Sequence, residues 1–158
     1  MERPSEETPA KWQALPSWQI TQTAHHAHRV VAEGFSSVDA RGFHYRLLAT
    51  LEESGPASQA ELGRRSGIHA SDVVAAINEL ADRDLVERTP DATDRRRNVI
   101  SLTTAGKRQL RRLEKRLAES QDELLAPLSP EERGQLTGLL SKLLAHHAAL
   151  SDVRETKR

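Results

Sequence analysis

A mainly α-helical fold with one small β-ribbon is predicted by three observations. Between Leu62 and Gly106 two short helical patterns meet at a glycine turn. Two strand-like runs follow, and the loop between them carries three consecutive arginines. A leucine seam at Leu110, Leu113, Leu117 and Leu124, and after Pro127 a run from Leu136 to Leu150 at intervals of three and four, then make the rest of the chain helical. Helix, turn, helix and ribbon in that order form a winged helix-turn-helix, a device for holding a helix in a DNA groove.

Leu62 faces inward, and Gly63 falls where two helix backbones cross closely. Gly67 supplies the positive φ that the turn needs without steric cost. From Ile68 a new apolar spacing begins, with Val73, Ala76, Ile77 and Leu80 on one face of a helix running from His69 or Ala70 to about Arg83. The opposite face holds Ser71, Ala75, Asn78 and Asp82, with Asp72 and Glu79 at its margin. Such a short, small and polar face suits a helix entering a major groove. The candidate contacts there are His69, Ala70, Ser71, Asp72 and Ala75. Ala75 offers a methyl surface to thymine. Asp72 has two readings: it accepts a hydrogen bond from a cytosine amino group, or it complements the positive end of the helix dipole, and the second is preferred. Ser58 caps the preceding helix, Gln59–Ser66. Arg64 and Arg65 at its end are candidate phosphate contacts, with an ordinary solvated helix end as the alternative for either.

The ribbon follows. Leu85–Thr89 and Asn98–Leu102 alternate like strands, and Pro90–Asp94 make the turn. Arginine at the end of a thin ribbon can enter a narrow minor groove, where the potential is most negative. Arg95 and Arg96 are assigned that role and Arg97 a phosphate contact. Asp94 is expected to orient a guanidinium through a bidentate pair.

Composition bounds the rest. At 158 residues this is one compact domain, with aromatics at 3% leaving the core to aliphatic side chains. The absence of cysteine excludes disulfides, thiolate metal sites and thiol-based redox sensing. No apolar run approaches the ~18 residues of a membrane span. The opening MERPSEETPAK is polar rather than a signal peptide, so a cytoplasmic, nucleoid-associated protein with no membrane partner is expected. No nucleophile–base constellation, phosphate-cradling glycine loop or paired carboxylate site appears, so no enzyme and no cofactor is expected. Net charge is zero, which argues against a non-specific polyelectrolyte binder. Yet the span Arg83–Arg116 holds eleven Lys/Arg against five Asp/Glu, a local basic surface of the kind DNA contact needs.

Asp94-Arg95-Arg96, then Leu102-Thr103, then Gly106, preceded by the helix-turn-helix and the strand Leu85–Arg88, resemble the MarR family of bacterial transcriptional regulators over about residues 17–150. The resemblance implies an obligate, triangular homodimer with a winged lobe in each protomer and an interface built by the two ends of the chain. It also implies binding of double-stranded DNA at a pseudo-palindromic operator, usually to repress, with a small effector often bound between the dimer helices and the lobe. Two positions depart from the family's common pattern: His69 stands where Ser or Thr is usual, and Ala75 where many relatives carry a long polar or basic residue.

The expected organisation follows. Residues 1–16, with three prolines, form a flexible arm. Residues 17–40 hold the N-terminal dimerisation helix, from an N-cap at Ser17 to a stop at Gly34, and a connection in which Asp39 caps the next helix. Residues 41–102 make the DNA-binding lobe, with Phe43, Leu47, Leu48 and Leu51 inward on its first helix. Residues 103–150 hold the C-terminal dimerisation helices, the first capped by Thr103, and 151–158 a frayed tail. The last helix has more apolar surface than one protomer easily covers. Leu136, Leu139, Leu140, Leu143, Leu144 and His147 are therefore assigned to the dimer interface, and the resemblance places the first helix there too, with Ile20 and Ala24. His25, His26, His28, His44, His146 and His147 supply ingredients for a metal site, but without an i, i+4 pair or a cysteine none is assigned. A metal-responsive regulator, and an interaction module that keeps the winged scaffold without DNA binding, stand as alternatives.

Overall fold

The computed structural model describes residues 10–155, with side chains as far as Leu150. Its elements are α1 (Pro16–Ser36), α2 (Gly42–Ser54), β1 (Ala57–Ser58), α3 (Gln59–Ser66), α4 (Ala70–Asp82), β2 (Val86–Pro90), β3 (Asn98–Leu102), α5 (Thr104–Leu124) and α6 (Pro130–Glu155). They sort into two compact units, the first reaching Gln121 and the second beginning at Asp122.

The core of the first unit is aliphatic, as the scarcity of aromatics requires. Leu47 and Leu48 of α2, Leu62 of α3, Ile77 and Leu80 of α4, Ile100 of β3 and Leu110 and Leu113 of α5 expose no surface. Burying each such side chain contributes about 1.5–3 kcal/mol. The three strands pair antiparallel in the order β1-β3-β2, with Ala57 and Arg88 on either side of Ile100. The strand β1 escapes sequence reading because two residues cannot display an alternation.

Local chemistry fixes the ends of the lobe's helices. The Ser58 hydroxyl accepts from Glu61 N at 3.3 Å at the start of α3, and the Thr103 hydroxyl accepts from Gly106 N at 2.9 Å at the start of α5. Gly67 ends α3 in the left-handed region at φ 63°.

Several boundaries differ from expectation. Residues 1–9 of the expected arm lie outside the described residues, but from Ala10 the chain is ordered: a 3-10 turn at Lys11–Ala14 sets Trp12 edge-on to Trp18 at 5.3 Å. Pro16, not Ser17, opens α1, because its fixed φ suits a first helical turn. Nor does α1 stop at Gly34; it runs on to Ser36. Glycine there serves close approach, since a Cβ would lie 2.5 Å from the Ser120 hydroxyl of α5. Asp39 does not cap α2 but takes φ 54° in the connection; the N-cap is Arg41, whose backbone N–H donates to His44 Nδ1 at 3.2 Å. On α2 the buried position next to Leu47 and Leu48 belongs to His44, and Phe43 is 40% exposed. The expected boundary at residue 103 falls instead beyond Gln121, since Leu110 and Leu113 of α5 complete the lobe's core.

In the second unit, Ser129 and Glu132 form a reciprocal cap on α6: Glu132 Oε2 accepts from Ser129 N at 2.8 Å and Ser129 Oγ accepts from Glu132 N at 3.2 Å. Arg133 ties the start of α6 to Asp122 at 2.8 Å. Helix continues through residues 151–155, where a frayed tail was expected; residues 156–158 lie outside the described residues. None of the described side chains of α6 is buried. Among the described residues no helix is long and apolar enough to cross a membrane.

Candidate nucleic-acid interface

The helical corner presents α4 to solvent along one side. Val73, Ala76, Ile77 and Leu80 are buried, while His69, Ala70, Ser71, Asp72, Ala75 and Asn78 are exposed. His69 is the N-cap but makes no capping hydrogen bond; its Nδ1 instead lies 3.1 Å from the Ser71 hydroxyl. Asp72 sits in the first turn of α4, where the helix dipole favours a carboxylate. Val74, 46% exposed, belongs to this face and was not foreseen. The signal was present: Val73 and Val74 are adjacent, the spacing 73, 76, 77 and 80 claims Val73 for the core, and Val74 must then point away. An open groove of about 670 Å³ crosses the corner, lined by Arg64, Gly67, His69 and Ala70 among others.

The two candidate phosphate contacts on α3 separate. Arg64 is exposed and lines the groove. Arg65 turns back onto Glu61 one helical turn earlier, so much of its charge is compensated within the protein.

Two anchors fix α4 against its neighbours. On one flank Glu79 Oε2 lies 2.8 Å from His44 Nε2, and Oε1 lies 3.5 Å from an Arg41 guanidinium nitrogen. Because His44 Nδ1 accepts from the Arg41 backbone, the ring proton sits on Nε2 and is donated to Glu79. Burial pushes the His44 imidazole below its ordinary value, against the pull of Glu79 and with help from Arg41 and Arg83. On the other flank Asn78 Oδ1 accepts from Arg88 Nη2 of β2.

The His44 arrangement carries a pH dependence. The folded state holds His44 neutral more strongly than the unfolded chain does, so its contribution is fully present above the unfolded value of 6.5 and is lost as the pH falls below it. His44→Gln is expected to flatten the fall in melting temperature on that side, since glutamine supplies both an acceptor and a donor but does not titrate. A variant whose melting temperature falls as steeply as the parent's in that window contradicts the assignment.

At the tip of the wing, Asp94 O accepts from Arg97 N at 2.9 Å, which closes a tight turn with Arg95 and Arg96 at its two central positions. Asp94 holds Arg96, not Arg95, and by one oxygen rather than bidentately: Oδ1 accepts from Arg96 N at 3.1 Å and from Arg96 Nε at 3.3 Å. Asp91 stiffens the approach to the turn. Its Oδ1 accepts from the backbone N and hydroxyl of Thr93 at 2.8 and 2.7 Å, and these bonds hold the carboxyl below the usual carboxylate range. Arg95, Arg96 and Arg97 are all exposed. The basic surface beyond the wing is thinner than the residue count suggests, because Arg111 is paired with Glu52 and Glu114, and Arg116 with Glu119.

Ile20 (46% exposed) and Ala24 on α1 face solvent, as do Leu139, Leu140, Leu143, Leu144 and His147 on α6; Leu136 is half-buried. Among the described residues no group of three His, Asp or Glu is placed to hold a metal ion.

Comparison with known proteins agrees with this architecture. A sequence profile of the MarR family matches residues 37–97. A Thauera aromatica protein described as a transcriptional regulatory protein for the hcr operon is 32% identical over 99 residues, covering 63% of this chain and 60% of that protein. The chain thus spans about three fifths of the length of that curated relative. Among solved structures, the PcaV transcriptional regulator from Streptomyces coelicolor superposes with a TM-score of 0.74 at 24% identity, over 86% of this chain and 99% of its own. A mutant of MarR from E. coli complexed with operator DNA gives 0.70 at 20% identity, over 86% and 99%. The match over residues 37–97 takes in the whole helical corner and the wing turn, and over that stretch the chain is similar to the MarR family of transcriptional regulators.

Proposed function

We propose that the chain is a DNA-binding transcriptional regulator that grips a pseudo-palindromic operator as a homodimer. In this reading α4 enters the major groove through Ser71, Val74 and Ala75, while Arg95 and Arg96 probe the adjacent minor groove. The observation that carries it is the pairing of an exposed, small-residue face on α4 with a turn that places two arginines at the tip of the neighbouring ribbon. The solved structure of a MarR mutant with operator DNA supports it by fold. Repression is the favoured direction, because an operator-bound dimer blocks its own stretch of promoter; release by a small effector fits the same scheme.

Selection of bound duplexes from random DNA, followed by a salt titration, tests the proposal. Sequence-specific binding should weaken steeply with salt, as phosphate contacts release counterions. Recovery of no preferred sequence would favour an interaction module instead. Within the selected site, Arg95→Ala should cost roughly 1–3 kcal/mol, the usual range for a specific contact. Unchanged affinity in that titration removes Arg95 from the minor groove.

A further inference from the structure

A helix in the major groove and a ribbon in the neighbouring minor groove have one sugar–phosphate strand running between them. A side chain that bridges helix and ribbon on their exposed side faces that strand. Arg88 is such a side chain: it lies on β2, is exposed, and reaches across to Asn78 on the exposed face of α4. The geometry points to Arg88 as a phosphate contact at the base of the wing, and to Asn78 as the positioning residue that aims it. The inference rests on the DNA-binding reading above.

The nature of the partner carries the argument. Arg41, Arg65, Arg111 and Arg116 each bond a carboxylate, which offsets their charge before any ligand arrives. Arg88 bonds a neutral amide oxygen. Its charge therefore remains available, and the one N–H given to Asn78 leaves four of the five guanidinium donors for phosphate oxygens. Holding a long side chain in one rotamer before binding also removes part of the ordering cost that a free arginine meets at the interface. Within the sheet Arg88 pairs directly with Ile100 of β3, which is fully buried. The bridge thus links recognition helix and wing, so that the two insertions into DNA share one register.

Salt titrations of the full-length protein test this, using a duplex recovered with the wild-type chain by selection from random DNA. Each phosphate contact contributes about 0.9 to the slope of log affinity against log salt, so Arg88→Ala in both protomers should lower that slope by about 2. Arg88→Lys should keep most of the slope, because the cation remains. Asn78→Ala should weaken binding by roughly threefold to tenfold at nearly unchanged slope, since it removes the aim and not the charge. Melting temperatures of all three should stay near the parent's, because both side chains are exposed. A purely structural bridge predicts the opposite, with affinity tracking melting temperature and Lys failing like Ala. If wild type yields no duplex, the DNA-binding reading itself fails. If wild type binds but Arg88→Ala keeps its slope, the phosphate contact is overturned. If Asn78→Ala binds like wild type, the positioning role is overturned.

Discussion

Replacing Gly106 by alanine should destabilise the winged lobe by about 3 kcal/mol or more, at the upper end of what overpacking costs. A Cβ at this position would lie 2.0 Å from Leu85 O, 2.7 Å from Leu102 Cδ1 and 3.0 Å from Leu85 C. The nearest obstacle is backbone, so no rotamer change relieves it. Moving Leu85 is costly in its turn. Its carbonyl accepts from Thr103 N at 3.2 Å and lies 3.1 Å from the Thr103 hydroxyl, and its N–H donates to Leu80 O at 2.9 Å at the end of α4. Leu85 and Val86 are themselves buried. One added methyl therefore strains the end of α4, the start of the ribbon and the cap of α5 together. For a chain of this size the loss corresponds to a drop of roughly 6–12 °C in melting temperature. Gly42→Ala is the control, because a Cβ there meets nothing within 4 Å. Both variants should be melted at the same protein concentration, since dimerisation shifts apparent stability. A Gly106→Ala chain that melts within about 2 °C of the parent would show that the α5 cap moves freely, contrary to the bonds around it.

Gly106 also shows what sequence can and cannot disclose. Its presence after Thr103 was legible, and so was the cap, because capping chemistry is local. Its physical reason was not, since the clash is with a residue 21 positions earlier that only the fold brings near. The same division runs through the molecule. Periodicity found α4 and the inward set Val73, Ala76, Ile77 and Leu80, because one helical face against one core leaves a regular trace. Periodicity failed on α2, where hydropathy prefers Phe43 inward; burial goes to His44 because Glu79 and the Arg41 backbone satisfy both ring nitrogens. Gly34 looked like a helix stop because glycine commonly is one, while here it admits α5. The arginine cluster was plain in sequence, but its energetics were not. Which arginine Asp94 holds, which one Glu61 compensates and which one Asn78 leaves charged are matters of side-chain geometry.

Ending the chain at Leu128 should abolish the dimer and, with it, tight operator binding. Described by itself, α6 is a long helix with no described side chain buried, and Leu139, Leu140, Leu143, Leu144 and Leu150 are 61%, 39%, 45%, 72% and 44% exposed. A helix in water is stabilised chiefly by packing an apolar face, and the leucines of this one are exposed. In the homodimer proposed above a second copy would supply that packing, a symmetric pair of helices doing so with self-complementary surfaces. The lobe does not need α6 to fold, because its fully buried side chains end at Leu113. The truncated chain should accordingly be a folded monomer in sedimentation. Two linked half-sites, about 34 Å apart on the duplex, then become two independent ones. Loss of the second, effectively intramolecular contact should weaken binding to the selected duplex by about a hundredfold or more. Leu143→Glu combined with Leu144→Glu provides the same test in the full-length chain, placing charges where a partner helix would pack. Should either variant sediment as a dimer and hold the duplex as tightly as the parent, the interface lies elsewhere, and the exposed leucines of α6 need another occupant.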